Sequence, residues 1–351
     1  MPSIALLSVF RDSYVGGISV HSTNLYERLR KEGIAVKKFD YTPVTRAGGA
    51  ARVRAFWRLL RGVVSARLAG TDIFHFHASN QALFFYVLGP LLKLSGAKLV
   101  LSIHSGYGYD RWLEENPRYH RLNQLTFRRL DRLLFMNRPE SDRITARYPS
   151  LRDRIRTINP FIAPHPADVP PVRSQPRSPE SPFRIVTLGG WKERYNVDEA
   201  VTAVLRFQQS TKASVELVVL LSTTLAEPDY QAKLTALLQK AGEQLPLTVL
   251  IDHDGVLAEM AAADLFIRPA LIDSYGLCVA ESLLVGTPAI ATDVCTRSAN
   301  AIPYRQGDLD QLVERIQAVW TDRQAGIQPT ATLLQPEEDA YRSYLQLYRS
   351  L

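Results

Sequence analysis

The sequence has little cysteine and no long apolar run. Cys278 and Cys295 are the two cysteines among 351 residues, and neither stands at the spacing of a metal or redox site. No disulfide framework follows, and a reducing compartment fits this composition. No stretch reaches the roughly 18 apolar residues of a transmembrane helix, and the chain's start lacks the basic region of a signal peptide. We therefore expect a cytoplasmic protein.

Acidic residues are scarce in the first half of the chain. Positions 1–160 hold 26 Lys and Arg against 12 Asp and Glu, whereas positions 161–351 hold 16 against 23. A basic domain suggests an anionic partner, which would be nucleic acid, a membrane surface or a phosphorylated substrate. The sequence has no helix-turn-helix, zinc or single-strand-binding signature, so no nucleic acid partner is expected.

Short apolar stretches alternate with helical patterns along the chain. This alternation predicts an α/β fold with parallel sheets and crossover helices. The predicted strands lie at 4–9, 35–40, 73–76, 98–103, 132–135 and 155–158, and then at 183–188, 215–221, 247–251 and 265–267.

Prolines recur in the middle of the chain. Eight of the 21 prolines fall between Pro160 and Pro182, a density that no helix or central strand tolerates. We interpret this stretch as an extended linker. The predicted organisation is a first domain at 1–160, a linker at 161–182, a second domain at 183–335 and a C-terminal helix at 336–351.

Two carboxylates mark one strand-to-helix junction in the second domain. The apolar run at 265–267 ends at a proline-containing loop, Asp273 follows, and a helical pattern then carries Glu281. In an open α/β sheet, ligands bind beyond the carboxyl ends of the strands, where a helix N-terminus offers N–H groups and a positive dipole end. The junction therefore predicts a site for a polyhydroxylated, anionic ligand.

The spacing Asp273-x7-Glu281, followed by Gly286-Thr287-Pro288, closely resembles the E-x7-E signature of the family 4 retaining glycosyltransferases. The resemblance spans nearly the whole chain. It implies the GT-B fold, in which two Rossmann-like domains face a cleft and the C-terminal helix crosses back onto the first domain. The family usually has Glu at the first acidic position, so Asp273 has a shorter reach by one methylene.

The resemblance also implies roles for this junction. Glu281 would accept hydrogen bonds from the ribose hydroxyls of the donor nucleotide. Asp273 and the backbone N–H groups around Tyr275, Gly276 and Leu277 would hold the hydroxyls of the sugar.

Two features of the first domain support the same interpretation. The pair Gly16-Gly17 opens a helical pattern, and such glycines let backbone N–H groups approach a phosphate. The resemblance implies contact with the donor diphosphate or with neighbouring groups of the donor. His104 ends a predicted strand, where it can bond a sugar hydroxyl or carry a proton. The resemblance places it beside the donor sugar, and we predict His104 and Asp273 as the catalytic residues. Of His75 and His77, which match a D-x-x-H-x-H strand of the family, at least the first is interpreted as structural.

The loop after the strand at 183–188 departs from the family. Its members usually have an Arg directly after the first glycine and a Lys five residues later, both on the diphosphate, and this chain has Gly190 and Tyr195 there. Because a leaving diphosphate needs stabilisation by positive charge, Lys192 and Arg194 become the candidate replacements. The alternative is that both are solvated loop charges.

A helical pattern at 46–67 combines arginines with apolar and aromatic residues, among them Trp57. It fits either a crossover helix with a solvated basic face or a helix on an anionic bilayer, where each cation near the surface contributes about 1 kcal/mol. The resemblance favours membrane contact, since relatives that glycosylate lipid-linked acceptors use basic patches in this domain.

The resemblance thus implies a retaining glycosyltransferase that moves a sugar from a UDP- or GDP-sugar to a saccharide or lipid-linked acceptor in bacterial polysaccharide assembly. We expect no metal and no cofactor, and a cytoplasmic location with peripheral attachment to the inner face of the membrane. Asp308-x-Asp310 looks like a D-x-D metal motif, but its setting indicates a helix N-cap. The alternatives are a non-catalytic GT-B protein that binds nucleotide-sugar or serves as a membrane scaffold, and a GT-B nucleotide-sugar epimerase.

Overall fold

The structure, a computed structural model, describes residues 2–12, 16–46, 48–79, 83–104, 108–173, 177–223, 226–327 and 333–351. The chain forms two compact units. One contains Met1–Pro166 and Asp339–Leu351, and the other contains Ala167–Glu338. Each unit has a six-stranded parallel sheet with helices around it, which confirms the predicted α/β class with two Rossmann-like halves.

The sheet of the first unit has the strand order β2-β1-β3-β4-β5-β6. Every pair of neighbours is parallel, and β1 and β3 are buried along their whole length. The strands are β1 (Ile4–Ser8), β2 (Val36–Asp40), β3 (Ile73–Ala78), β4 (Lys98–Ile103), β5 (Arg132–Phe135) and β6 (Ile155–Thr157). The helices before the second unit are α1 (Gly17–Lys31), α2 (Thr42–Arg46), α3 (Gly49–Leu68), α4 (Leu83–Leu94), α5 (Tyr109–Glu115), α6 (Arg118–Thr126) and α7 (Arg138–Arg147).

Helix α3 is the crossover between β2 and β3. Leu59, Val63 and Ala66 are buried and pack in the main core of the unit. The opposite face is exposed and carries both arginines and apolar side chains, with Trp57 61% exposed. Among the described residues, no helix is both long enough and apolar enough to cross a bilayer.

The sheet of the second unit has the order β12-β11-β10-β7-β8-β9, again with parallel pairs throughout. The strands are β7 (Phe183–Gly190), β8 (Val215–Ser222), β9 (Leu247–Ile251), β10 (Leu265–Arg268), β11 (Ala289–Thr292) and β12 (Ile302–Tyr304); the helices are α8 (Val197–Thr211), α9 (Pro228–Gly242), α10 (Val256–Ala262), α11 (Leu277–Leu284) and α12 (Leu309–Gln324). The order reverses between β7 and β10, which are neighbours. This is the topological switch point, where doubly wound sheets bind their ligands.

The start of α12 confirms the interpretation of Asp308. Its carboxylate accepts a hydrogen bond from the backbone N–H of Gln311 at 3.0 Å, as an N-cap side chain does. Asp310 lies in the first turn of the helix and pairs with Arg206 at 3.1 Å.

The C-terminal helix α13 (Tyr341–Arg349) belongs to the first unit although it follows the second in sequence. Tyr341, Tyr344 and Tyr348 are at most 1% exposed and pack in the core formed by β1, β3, β4 and α1. The Tyr348 hydroxyl contacts His75 Nδ1 at 2.7 Å. The predicted return of the chain to the first domain is therefore confirmed.

Candidate active site

Arg268 stands at the switch point of the second sheet. It is the last residue of β10 and is 6% exposed. Its Nη1 donates to the carbonyl of Leu188 on β7 at 2.9 Å, so its guanidinium group links the carboxyl ends of the two strands that flank the switch point. A buried cation in an otherwise apolar strand requires an anionic partner.

Asp273 is that partner, and it serves two arginines. Its Oδ2 accepts from Arg268 Nε at 3.2 Å and from Arg297 Nη1 at 2.8 Å, while Oδ1 accepts from the Ser274 N–H at 3.0 Å. Burial alone would raise the pKa of Asp273, but the two guanidinium groups outweigh burial and hold that pKa below its ordinary value. Asp273, the residue predicted to hold the sugar hydroxyls, is thus an ionised carboxylate within an Arg-Asp-Arg cluster.

Gly276 allows this cluster to form. Its φ is +76°, a left-handed conformation that glycine adopts without strain. A Cβ at this position would lie 2.2 Å from Arg297 Nη1 and 3.1 Å from Asp273 Oδ2. The backbone turns here into α11, whose first residue is Leu277.

Tyr275 and Glu281 lie on the two sides of this turn. Tyr275 is 6% exposed, and its hydroxyl contacts Ser298 Oγ at 3.1 Å and Glu338 Oε1 at 3.2 Å. Glu281 lies on α11 and is 6% exposed. Cys278 lies one turn before it, and burial raises the pKa of this thiol to about 11, so the sulfur stays protonated and is no nucleophile.

The loop after β7 explains the two departures from the family pattern together. A Cβ on Gly190 would lie 3.1 Å from the Tyr195 ring and 3.1 Å from the Ser222 carbonyl. The tyrosine ring therefore occupies the space that a side chain at 190 would enter. The ring also lies against two cations, with the guanidinium carbons of Arg194 and Arg268 at 4.8 and 5.2 Å from its centroid.

Of the two predicted replacement cations, Arg194 is exposed and Lys192 is half-buried. Arg194 Nη2 donates to the Tyr195 hydroxyl at 2.9 Å, and its carbonyl accepts from the Leu271 N–H at 2.9 Å. This last bond ties the loop after β7 to the loop after β10. Sequence reasoning assigned no role to Arg268 or Arg297, and the available signal was an arginine that ends an apolar strand.

In the first unit, Gly16 and Gly17 lie at the start of α1. The Gly16 N–H donates to Ser19 Oγ at 2.9 Å, and the Ser19 hydroxyl donates to the Gly16 carbonyl at 2.8 Å. The Gly16 N–H is therefore engaged within the chain. Gly17 is the first residue of the helix, a position whose N–H has no partner in the helix ladder and can meet an anion.

His104 follows β4 and joins a group of four histidines. Its Nε2 contacts His77 Nδ1 at 3.0 Å. His21 Nδ1 donates to the Pro160 carbonyl at 2.6 Å, and both ring nitrogens of His75 contact hydroxyls, those of Tyr348 and Ser102, at 2.7 Å. His75 is thus structural, as expected. Burial lowers the pKa of all four, that of His21 to about 4, so they are neutral at pH 7.

Neutral imidazoles can also hold a metal ion. The ligand nitrogens of His21, His77 and His104 lie within 4.8 Å of one another, and this is the one such group among the described ranges. The nitrogens of a tetrahedral zinc site are closer, about 3.3 Å apart for Zn–N bonds of about 2.0–2.1 Å. The three nitrogens would have to move together to bind such an ion.

Comparison with known proteins agrees with this architecture. Residues 15–165 match the family model described as Glycosyltransferase Family 4, and residues 182–322 match the model described as Glycosyl transferases group 1. Together the two models account for most of the chain. Among curated protein sequences, none matches.

Solved structures match over the whole length. HepE of Anabaena in complex with UDP has a TM-score of 0.70 at 13% identity, with 100% of both chains covered. The sucrose-phosphate synthase of Thermosynechococcus elongatus has a TM-score of 0.69 at 17% identity, with 100% of this chain and 99% of that chain covered. WaaG, a glycosyltransferase involved in lipopolysaccharide biosynthesis, has a TM-score of 0.66 at 15% identity, with 98% of this chain and 99% of that chain covered. With both domain models matched in order and the fold shared over its full length, the chain belongs to the group 1 glycosyltransferases and has the GT-B fold.

Proposed function

We propose that this glycosyltransferase takes its sugar from a nucleoside diphosphate sugar and retains the anomeric configuration. The observation that carries the proposal is the charged group at the switch point of the second sheet, where Arg268, Asp273 and Arg297 meet beside the turn into α11. Doubly wound sheets bind nucleotides at this place. Carboxylates recognise hydroxyl groups there, and guanidinium groups recognise phosphate oxygens.

The proposed division of roles follows the chemistry of each group. Glu281 accepts hydrogen bonds from the ribose hydroxyls, and Asp273 with the backbone around Tyr275, Gly276 and Leu277 holds the sugar. In the first unit, His104 bonds a sugar hydroxyl as a neutral imidazole, and Gly17 offers its N–H to phosphate. Lys192 and Arg194 border the loop that leads from β7 towards the phosphates.

The reaction needs no protein nucleophile. The bond between the anomeric carbon and the diphosphate oxygen breaks with oxocarbenium-like charge on the sugar. The acceptor hydroxyl attacks the anomeric carbon on the face that the diphosphate leaves, and its proton passes to the departing phosphate oxygen. Positive charge and helix N-termini stabilise the leaving group. This scheme uses no divalent metal, so we expect transfer to continue in the presence of a chelator.

The structural relatives support a uridine nucleotide as donor. HepE has been solved with UDP, with UDP and glucose, and with UDP-glucose. GDP is the second candidate. WaaG acts in lipopolysaccharide biosynthesis, which supports a saccharide or lipid-linked acceptor and a role in bacterial polysaccharide assembly.

Helix α3 supports attachment to an anionic membrane. Asp72 is the only acidic residue between Asp40 and Asp110, so this part of the first unit is strongly basic. Apolar side chains on α3 and α4 are exposed together with the arginines; they are Val53, Trp57, Val64, Leu68, Val87, Leu91 and Leu94. Exposed apolar groups among cations bind the interface of an anionic bilayer, here the inner face of the cytoplasmic membrane.

Calorimetric titration with UDP, GDP and ADP tests the donor site. We expect micromolar binding of one nucleotide, which Glu281→Ala weakens at least tenfold because the ribose hydroxyls lose their acceptor. Glu314→Ala, which removes an exposed carboxylate from α12, is the matched control and should bind like the native protein. If none of the three nucleotides binds, the donor assignment is wrong.

A further inference from the structure

At the switch point of the second unit, buried positive charge lies at the end of β10 and after β11 rather than in the loop after β7. Arg268 ends β10 and Arg297 follows β11. Their side chains are 8% and 6% exposed, and both contact the same oxygen of Asp273. Within this cluster two guanidinium groups share one carboxylate oxygen.

The hydrogen bonds of Arg268 leave part of its guanidinium group available. Nε contacts Asp273 and Nη1 contacts the Leu188 carbonyl. Nη2 carries two further N–H groups, and the part of the chain that the structure describes shows no hydrogen bond to them. The Tyr195 ring lies against this guanidinium group at 5.2 Å, a cation–π contact that helps to hold it in one orientation.

Arg297 is fixed even more firmly. Nε and Nη2 donate to the carbonyl and hydroxyl of Thr292 at 3.1 and 3.2 Å, and Nη1 donates to Asp273 and to the Tyr275 carbonyl at 2.8 and 3.2 Å. Gly276 leaves space for the Arg297 guanidinium group, because a Cβ at position 276 would lie 2.2 Å from Arg297 Nη1. Preorganised guanidinium groups in a buried place bind phosphate oxygens well because little side-chain entropy remains to be lost.

We infer that Arg268 and Arg297, ordered by Asp273 and Tyr195, are the cations that face the diphosphate of the donor. This inference rests on the proposed function, because it assigns the phosphate subsite of the same donor site. It also explains why the loop after β7 tolerates Gly190 and Tyr195: the charge comes from the neighbouring strand ends, and the tyrosine ring supports it.

The test compares a nucleoside diphosphate with its monophosphate. Binding of UDP and UMP, or of GDP and GMP if guanine is the base, is measured by calorimetry for the native protein, Arg268→Gln and Arg297→Gln. We expect each variant to lose about ten- to a hundredfold in affinity for the diphosphate, the range for a charge-assisted hydrogen bond. Binding of the monophosphate should change less than threefold.

A purely structural role for the two arginines predicts a different pattern. The affinities for the diphosphate and for the monophosphate would then fall by the same factor, and this result would overturn the inference. A selective loss in Arg194→Gln with none in Arg268→Gln would overturn it as well. Arg206→Gln on α8, where an exposed arginine pairs with exposed Asp310, is the control for a general loss of charge.

Two further measurements separate the possible failures. Thermal unfolding shows whether each variant is folded. If Arg268→Gln is not folded, Arg268→Lys replaces it in the test. Lysine keeps the positive charge but lacks the second N–H arm, so this variant should still lower the affinity for the diphosphate selectively. If the native protein binds neither UDP nor GDP, the proposed function fails together with this inference. If it binds a diphosphate that the arginine variants bind equally well, the inference alone fails.

Discussion

At the scale of single residues, Gly276 combines two constraints, a left-handed backbone conformation and a crowded Cβ position. Its φ of +76° disfavours any residue with a Cβ, and a Cβ would also collide with Arg297 Nη1 at 2.2 Å. Gly307 has nearly the same φ, +78°, but no atom of the described residues lies within 4 Å of the position of its Cβ. The pair therefore distinguishes backbone strain from crowding.

We predict that Gly276→Ala destabilises the second unit more than Gly307→Ala. The strain of a left-handed alanine costs about 1–2 kcal/mol at either site. Gly276→Ala must in addition displace Arg297 from Asp273, which leaves a buried ion pair disturbed at a further cost of a few kcal/mol. Urea unfolding measures both. Equal losses would show that Arg297 moves aside freely and that the Arg-Asp-Arg cluster is loosely held.

The residues of the donor site were only partly predictable from sequence. Asp273, Gly276 and Glu281 stand within nine positions of each other, so one motif contains them. Arg268 and Arg297 are 29 positions apart, and nothing in their spacing shows that both reach one carboxylate. That contact depends on the strand order, which places β10 beside both β7 and β11.

At the scale of secondary structure, the strands agreed closely with the sequence pattern. The predicted strand at 98–103 matches β4, and that at 132–135 matches β5. Buried parallel strands are continuous apolar runs, and the flanking turns end them, so their limits are visible in the sequence. Helix α3 was less predictable, because an arginine-rich amphipathic pattern does not show which apolar residues remain outside the core.

Helix α3 provides a prediction at this scale. Arg54 and Arg58 are exposed on either side of exposed Trp57. We predict that the double variant Arg54→Gln/Arg58→Gln binds phosphatidylglycerol vesicles about thirtyfold more weakly, since each near-surface cation contributes about 1 kcal/mol. Trp57→Ser should weaken binding as well, and vesicle flotation measures both.

Leu125→Ser is the control for a loss of exposed apolar surface. Leu125 is 64% exposed on α6, in the same unit, and its replacement should leave vesicle binding unchanged. Vesicles of phosphatidylcholine alone should bind none of these proteins strongly, because they offer no negative charge. Equal binding of native and double-variant protein to anionic vesicles would contradict a membrane role for α3.

At the scale of the whole molecule, the two units differ in their buried titratable groups. His21, His75, His77 and His104 are all in the first unit, and burial lowers the pKa of each. The unfolded chain therefore binds more protons below pH 6.5, the ordinary histidine value, and stability that is full above this pH is lost as the pH falls towards the folded pKa. Glu140 opposes this trend, because burial raises its pKa to about 7.

The balance of these groups predicts that mild acid weakens the first unit selectively. For His21, whose pKa burial lowers to about 4, the free energy of unfolding falls by about 2 kcal/mol between pH 6.5 and 5, since one pKa unit corresponds to about 1.4 kcal/mol. Glu140 acts in the opposite direction, whereas His75, His77 and His104 act in the same direction as His21. In the second unit, the stability that comes from the lowered pKa of Asp273 is present above its ordinary value of 3.8 and is lost only below that. Calorimetric scans at pH 7 and pH 5 should therefore show that the unfolding transition of the first unit moves to lower temperature. The transition of the second unit, identified as the one that Gly276→Ala shifts, should stay in place. A parallel shift of both transitions would contradict the assignment of the acid response to the histidines of the first unit.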